Sequence, residues 1–227
     1  MEVMFLGFAA AMIAGFVVLL AVVVPAQLRA ERRRREARRA WAWQHGWHYE
    51  ERPRVAWTGR MPGRNARGVR WMMTGRIGQR WVSVADYYYE SSSGDSTSTH
   101  NYVAVVVQLE RPLPWVGVAA RGAFSQLGRS LFGDKPTATG HPGFDSRFRV
   151  EAAEPRWAHE LIGRPLIEAH LANAVPCWSV AGNQLLAHYS GKLGAPELMG
   201  RYADPLLRVA DLLGQGVEPW VTVPPPR

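Results

Sequence analysis

The sequence predicts an α+β fold: an N-terminal transmembrane helix followed by an antiparallel sheet with helices packed on one face. Three observations predict it. A long uncharged segment opens the chain, short β-like runs separated by glycine and proline follow, and helical spacing of apolar residues recurs towards the C-terminus. With 227 residues, 47% hydrophobic and 20% charged, the chain suits one folded domain plus an appendage.

Residues 3–24 carry no charge, and 22 helical residues at about 1.5 Å each cover the roughly 30 Å of a bilayer's hydrocarbon core. A cleaved signal peptide would have a positive segment before a shorter apolar run, whereas only Glu2 is charged before this one. We therefore predict an uncleaved transmembrane anchor over residues 1–27. Within it, Gly7, Ala11 and Gly15 have the spacing that allows close helix approach, so homo-oligomerisation through the anchor is a possibility.

A dense group of arginines follows Pro25, and we call residues 29–39 the arginine cluster. Its seven arginines against two glutamates give +5 of the chain's formal +8. Because basic residues beside a span favour the cytoplasmic side, we expect the N-terminus outside and the rest inside the plasma membrane. We also expect a juxtamembrane helix over residues 28–40 that lies along the inner membrane surface and contacts anionic headgroups. The predicted contact residues are Arg29, Arg32, Arg33, Arg34, Arg35, Arg38 and Arg39.

A mixed domain is predicted over residues 41–220, followed by an extended tail over 221–227. Residues 68–75 and 80–90 are rich in β-branched and aromatic residues and predict a hairpin, and the nearly continuous apolar run 101–110 predicts a central strand. The small polar residues of 91–101 indicate a flexible loop. Residues 111–119 predict a turn into another short strand.

The second half of the domain alternates short helices and strands. Helical spacing predicts a helix over 122–133, and alternation predicts a strand over 144–152. Pro155 and Pro165 suit the first turns of two successive helices. Residues 177–190 predict a hairpin turning at Gly182 and Asn183, and 196–213 predict a last helix with Leu198, Tyr202, Leu206, Val209 and Leu213 inward.

No sequence motif for catalysis, a cofactor or a metal stands out. The His159–Glu160 pair lacks the second histidine of a zinc-hydrolase motif, since position 163 is glycine, and the loop 133–143 lacks the order of a phosphate-binding motif. The seven histidines are His45, His48, His100, His141, His159, His170 and His188. We therefore predict no catalytic, cofactor-binding or metal-binding residues, with one alternative: a membrane-tethered enzyme in which Cys177 is a nucleophile and His188 or His170 its base.

The lone Cys177 cannot form an internal disulfide, which fits a reducing compartment. Arginines interleaved with Trp41, Trp43 and Trp47 also have the composition of a nucleic-acid surface, but their position directly after a span favours headgroup contact. Binding of an acidic ligand or nucleic acid through the arginine cluster remains a second alternative. Of the three tryptophans, Trp47 is expected in the domain core.

Several segments together resemble a family of uncharacterised actinobacterial single-pass membrane proteins. They are "WAWQHGWHYEE", "YVAVVVQLERPLPWVGV", "GFDSRFRVEA", "AHELIGRPLIEAHL" and "WSVAGNQLLAHYSG", and the resemblance covers nearly the whole chain. It implies one anchor and one mixed α+β domain, without any site residue. The sequence thus favours a membrane-anchored cytoplasmic domain that binds or scaffolds a partner, most simply another protein, at the inner leaflet.

Overall fold

The structure, a computed structural model, describes residues 24–94, 96–121 and 137–215. The chain divides into two units, Met1–Gly46 and Trp47–Arg227. The predicted anchor lies almost wholly outside the described residues, as do the predicted helix over 122–133 and the tail. Among the residues described, no helix is both long and apolar enough to cross a membrane.

In the first unit, residues 24–44 are helical (α1). The helix therefore extends four residues beyond the predicted end at residue 40, because residues 41–44 contain no helix breaker. Gly46, with a φ of 71°, follows it in the left-handed conformation that commonly ends helices.

The second unit, as far as its residues are described, is an α+β domain built on one six-stranded antiparallel sheet. The strand order is β1-β2-β3-β4-β5, and β6 pairs with β4. The strands are β1 (His48–Glu51), β2 (Val69–Ile77), β3 (Arg80–Ser93), β4 (Ser96–Ala120), β5 (Phe148–Ala152) and β6 (Trp178–Ser190). The helices are α2 (Pro142–Arg147), α3 (Pro155–Leu161), α4 (Arg164–Leu171) and α5 (Met199–Leu212), with 3-10 turns at Ala56–Arg60, Pro62–Arg64 and Pro196–Leu198.

Strand β4 organises the sheet. Its first half pairs with β3, its end pairs with β5, and β6 runs along its other edge. Residues 103–107 are buried, as predicted for a central strand. The prolines 112 and 114 cannot donate ladder hydrogen bonds, and the register shifts between Gln108 and Val116 where they lie.

Both faces of the sheet are covered. One face carries Val84, Val105 and Ala187, which are at paired positions, and α5 packs on β3, β4 and β6 there. The opposite face is covered by the segment 55–64 with its two 3-10 turns. Its core consists of Trp57, Met61, Val69, Ala85, Tyr87, Tyr89, Ala104, Val106 and Leu186. Helices and sheet are thus arranged as an α+β domain, with 3-10 turns on the second face.

Trp47 is the first residue of this domain to pack on the sheet. Its indole lies against Gly75 of β2, where a Cβ would overlap the ring. Trp47 is half-buried, so it packs on the sheet at the edge of the core rather than inside it as expected. Trp43, in contrast, is 84% exposed.

Several predicted elements differ in the structure. Residues 91–93 and 96–101 are not a loop but continue β3 and β4, with Gly94 at a φ of 58° in the tight turn. Residues 111–119 are not a separate strand but part of β4. Residues 144–147 belong to α2, because the His141 imidazole caps that helix by accepting a hydrogen bond from the Phe144 backbone N–H. Of the residues expected inward on the last helix, Leu206 and Val209 are buried but Leu198 is 41% exposed.

The predicted hairpin at 177–190 is also wrong, since β6 is a single strand. Gly182 has a φ of 58° and pairs with Leu113, so it occupies a bulge opposite the proline-containing part of β4. The Arg60 guanidinium stabilises this bulge by donating hydrogen bonds to the carbonyls of Ser179 (3.0 Å) and Gln184 (3.1 Å).

Candidate functional site

The seven arginines of the arginine cluster all lie on α1. Arg29, Arg32, Arg33, Arg34 and Arg39 are exposed, whereas Arg35 and Arg38 are half-buried. Because successive helical residues differ by about 100°, residues 32–35 alone point in four directions around the axis. The cluster therefore surrounds the helix rather than forming one basic face, and α1 has no apolar stripe of the kind that seats a helix flat in a membrane interface.

The alternative Cys177–His188 site is not assembled. Cys177 precedes the first residue of β6 and His188 lies near its other end, about 35 Å away for an extended strand. Burial raises the pKa of the Cys177 thiol, which disfavours the nucleophilic thiolate. His188 is exposed beside Tyr102, with the two rings edge to face at 5.5 Å.

His170 is a core residue. It is 1% exposed and packs against the rings of Phe144 and Phe148. The Trp178 indole N–H donates to its Nε2 at 3.0 Å, which fixes the proton of the neutral ring on Nδ1. Burial lowers the pKa of His170 to about 4. The imidazole is therefore neutral at physiological pH.

The other histidines serve local structure where their contacts are defined. His45 stacks on Trp41 with 4.1 Å between ring centroids, and His100 stacks on Tyr89 at 4.6 Å. His141 caps α2, and burial lowers the pKa of His159. Across the described ranges, no group of three or more histidine, cysteine, aspartate or glutamate side chains has the arrangement of a metal site.

The loop before α2, which lacks the phosphate-binding motif, binds a carboxylate of the chain itself. Asp145 accepts hydrogen bonds from the backbone N–H of Thr139 (3.0 Å), the hydroxyl of Thr139 (2.9 Å) and the backbone N–H of Gly140 (3.2 Å). Donors that an external anion would need are thus already used by Asp145.

A second basic region lies in the folded domain, and sequence reasoning missed it. Between residues 52 and 85 there are eight arginines and no acidic residue. They are Arg52, Arg54, Arg60, Arg64, Arg67, Arg70, Arg76 and Arg80. This stretch alone carries +8, so the small net charge of the domain conceals a strong local excess. The absence of any acidic residue over this length was the signal available in the sequence.

Several of these arginines are used by the fold. Arg60 donates to the β6 bulge, and burial lowers its pKa to about 10. Arg70 lies 3.5 Å from the Asp86 carboxylate and over the Tyr88 ring, and Arg80 forms an ion pair with Asp211. The charges of Arg70 and Arg80 are therefore partly neutralised by carboxylates of the domain.

Arg54 and Arg67 differ from these, because both line a surface depression. Its volume is about 270 Å³, and its other lining residues are Val55, Ala56 and Ala66. Both arginines are exposed, and neither forms an ion pair within the described chain. The depression, which we call the arginine pocket, is thus lined by three apolar residues and by two exposed arginines that form no ion pair with the described residues.

The backbone on the Arg67 side of the pocket is held by the sheet. The buried Tyr87 hydroxyl donates to the Pro62 carbonyl and accepts from the Asn65 backbone N–H, each at 2.8 Å. The Asn65 side chain accepts from the Arg67 backbone N–H at 3.0 Å and donates to the Tyr88 carbonyl at 3.2 Å. The loop 62–68 is therefore fixed before any ligand arrives.

The backbone on the Arg54 side is fixed by the first 3-10 turn. The Val55 carbonyl accepts from both the hydroxyl of Thr58 (2.7 Å) and its backbone N–H (3.3 Å). Pro53 is buried and precedes Arg54, which limits the backbone further. Both arginines thus extend from ordered backbone.

No protein-family model and no curated protein matches the sequence. Among solved structures, the chain is similar to the mycobacterial trehalose monomycolate transport factor A, TtfA. The identity is 13%, the match covers 77% of this chain and 89% of the other, and the TM-score is 0.49.

Proposed function

We propose that the chain is a single-pass plasma-membrane protein whose N-terminus lies outside and whose α+β domain binds or scaffolds another protein at the cytoplasmic leaflet. The uncharged residues 3–24 would form the anchor. We also propose membership of the actinobacterial single-pass family on the segments quoted above. The observation that carries the proposal is the arginine cluster, which is helical, largely exposed and placed directly after that uncharged segment.

The distribution of arginines around α1 supports a helix that leaves the bilayer steeply instead of lying on it. Counted from residue 24, Arg29 would lie about 8 Å beyond the hydrocarbon core and Arg39 about 22 Å beyond it. The headgroup layer is only about 5–8 Å thick. The backbone of Arg29 would therefore lie within the headgroup layer, whereas Arg32 and Arg33, about 12–14 Å beyond the core, and the rest of the cluster would act through longer-range attraction.

The β3–β4 ribbon supports a protein as the partner. Pairing with β2 ends at Tyr87, and pairing with β6 ends at Tyr102. Beyond these points, residues 90–93 and 96–99 pair with each other and with no other strand of the described part of the chain. Both outer edges of the ribbon therefore offer unpaired backbone groups, which an extended segment of another protein can use for strand addition.

Protease accessibility tests the orientation. In inverted membrane vesicles, trypsin should remove the domain, whereas in right-side-out vesicles the domain should be protected until detergent is added. Protection in inverted vesicles would contradict the proposal.

Co-purification in mild detergent tests the binding role. The full-length protein is compared with a variant in which Ser92 and Thr97, which face each other near the ribbon tip, are both replaced by proline. Proline removes backbone donors at the edge, so a partner held by strand addition should be lost. A matched variant carries alanine at both positions and should retain the partner. Equal recovery from both variants would exclude the ribbon as the binding site.

A further inference from the structure

We infer that the arginine pocket binds a phosphate monoester, carried either by a lipid headgroup or by a small soluble molecule. This site lies in the folded domain and is separate from the arginine cluster. It goes beyond the proposed function, because it does not depend on the orientation of the anchor.

The arginine pocket lies in a part of the chain with an excess of positive charge. The pocket is part of a stretch of 34 residues, 52–85, without a carboxylate. Arg70 and Arg80 pair with the carboxylates of Asp86 and Asp211, whereas Arg60 and Arg76 donate to backbone carbonyls. Arg54 and Arg67 remain as the uncompensated charges at the pocket, so an anion is the complementary ligand.

The chemistry of guanidinium selects the class of anion. Each guanidinium offers a planar fork of donors that matches two oxygens of a phosphate or carboxylate. A phosphate monoester has three terminal oxygens and carries up to two negative charges, so it can use both forks and balance both charges. A carboxylate has only two oxygens and one charge, and would leave one arginine unsatisfied.

The size and lining of the pocket limit the rest of the ligand. A volume of about 270 Å³ is below the range of sites for drug-sized ligands and suits a phosphate with a short attachment. Val55 forms part of the floor and packs against the sheet core. The group next to the phosphate should therefore be small and partly apolar, as a glycerol unit is.

The backbone that carries both arginines is ordered without a ligand. The Tyr87–Asn65 network and the Thr58–Val55 hydrogen bonds hold the backbone on both sides of the pocket. A ligand therefore has to order only two side chains, which lowers the entropic cost of binding.

Glycerol 3-phosphate is the probe for this site. Full-length protein in phosphatidylcholine nanodiscs is titrated by calorimetry, and the double variant Arg54→Gln/Arg67→Gln is compared with Arg201→Gln/Arg208→Gln. The control removes the same charge from exposed positions on α5, which packs on the other face of the sheet. We expect the pocket variant to lose about tenfold or more in affinity and the control to change by about twofold at most.

A second arm distinguishes the two sources of phosphate. A photoactivatable phosphatidic acid is included in the nanodiscs, and adducts are mapped by mass spectrometry. An adduct within residues 54–67 that depends on Arg54 and Arg67 identifies a headgroup site, and probe binding without such an adduct identifies a soluble ester. Equal affinity of the pocket variant and the wild type for the probe, or no binding and no adduct, overturns the inference. Nanodiscs expose both sides of the bilayer, so a wrong orientation of the protein does not affect the result.

Discussion

His170 shows how a single side chain links the packing of this domain to pH. Its ring is enclosed by Phe144 and Phe148, and its acceptor nitrogen is used by Trp178. The pKa of about 4 in the folded state lies below the value of 6.5 for an exposed histidine, because burial disfavours the charged ring. Between these two values, only the unfolded chain takes up the proton.

Acidification should therefore destabilise the domain through His170. Above pH 6.5 the ring is neutral in both states, so it does not lower the free energy of unfolding. As the pH falls from 6.5 to about 4, proton uptake by the unfolded chain lowers that free energy by about 3 kcal/mol in total. His170→Gln keeps an acceptor for Trp178 but cannot titrate. Urea unfolding at several pH values between 7.5 and 4.5 should show a shallower pH dependence for this variant. Parallel curves for variant and wild type would contradict the assignment.

At the residue scale, the sequence predicts which side chains have reactive or charged groups, but it does not predict which of them lie close together in the fold. Cys177 and His188 have the right types for nucleophile and base, yet pairing along β6 holds them far apart. Arg54 and Arg67 are unremarkable in a chain so rich in arginine, and only the folding of 55–68 onto β3 brings both to one depression. Their importance depends on tertiary contacts that no local pattern encodes.

At the scale of elements, the bulged strand β6 depends on a residue far away in the chain. Arg60 donates to Ser179 and Gln184, on either side of the bulge. Without the Arg60 guanidinium, the partly buried carbonyl groups of Ser179 and Gln184 lose their charged hydrogen-bond donor. The sequence Gly182-Asn183 is otherwise typical of a hairpin turn.

Arg60→Ala should therefore destabilise the domain by about 2–4 kcal/mol, the range for losing hydrogen bonds from a charged donor together with its packing. Chemical denaturation measures the loss. Arg201→Ala, on the exposed side of α5, is the control and should change stability by less than about 0.5 kcal/mol. If both variants were equally stable, Arg60 would not be what holds the bulge.

Elements with a regular apolar pattern were predicted well. The β2–β3 hairpin and the buried part of β4 follow from alternation or continuous apolar residues, and α3 and α4 from prolines at their starts. The ribbon at 91–101 was missed because its side chains are exposed and only its backbone is paired. Elements defined by long-range pairing leave little trace in local composition.

At the scale of the whole molecule, positive charge is concentrated in two separate stretches of the sequence. One is the arginine cluster with +5, and the other is the acid-free stretch 52–85 with +8. Since the chain totals +8, the remaining residues carry −5. We expect the first region to determine orientation and the second to bind a ligand.

Removing part of the arginine cluster should disturb orientation. Replacing Arg29, Arg32, Arg33 and Arg34 by glutamine leaves a net charge of about +1 there, so the preference for the cytoplasmic side weakens and a mixture of orientations is expected. The fraction of trypsin-protected domain in inverted vesicles measures this. Replacement of Arg52, Arg54, Arg67 and Arg76 by glutamine removes the same charge from the domain and should leave orientation unchanged, because those residues follow the uncharged segment by more than about 20 positions in the sequence.

Site-specific labelling tests the membrane topology most directly. In a Cys177→Ser background, Ser92→Cys places one thiol on the exposed β3–β4 ribbon, and Glu2→Cys places one before the uncharged segment. We predict that a membrane-impermeant maleimide labels Cys at position 92 only in inverted vesicles and Cys at position 2 only in intact cells. Labelling of position 92 in intact cells, or of both positions on the same side, would contradict a single span with the domain in the cytoplasm.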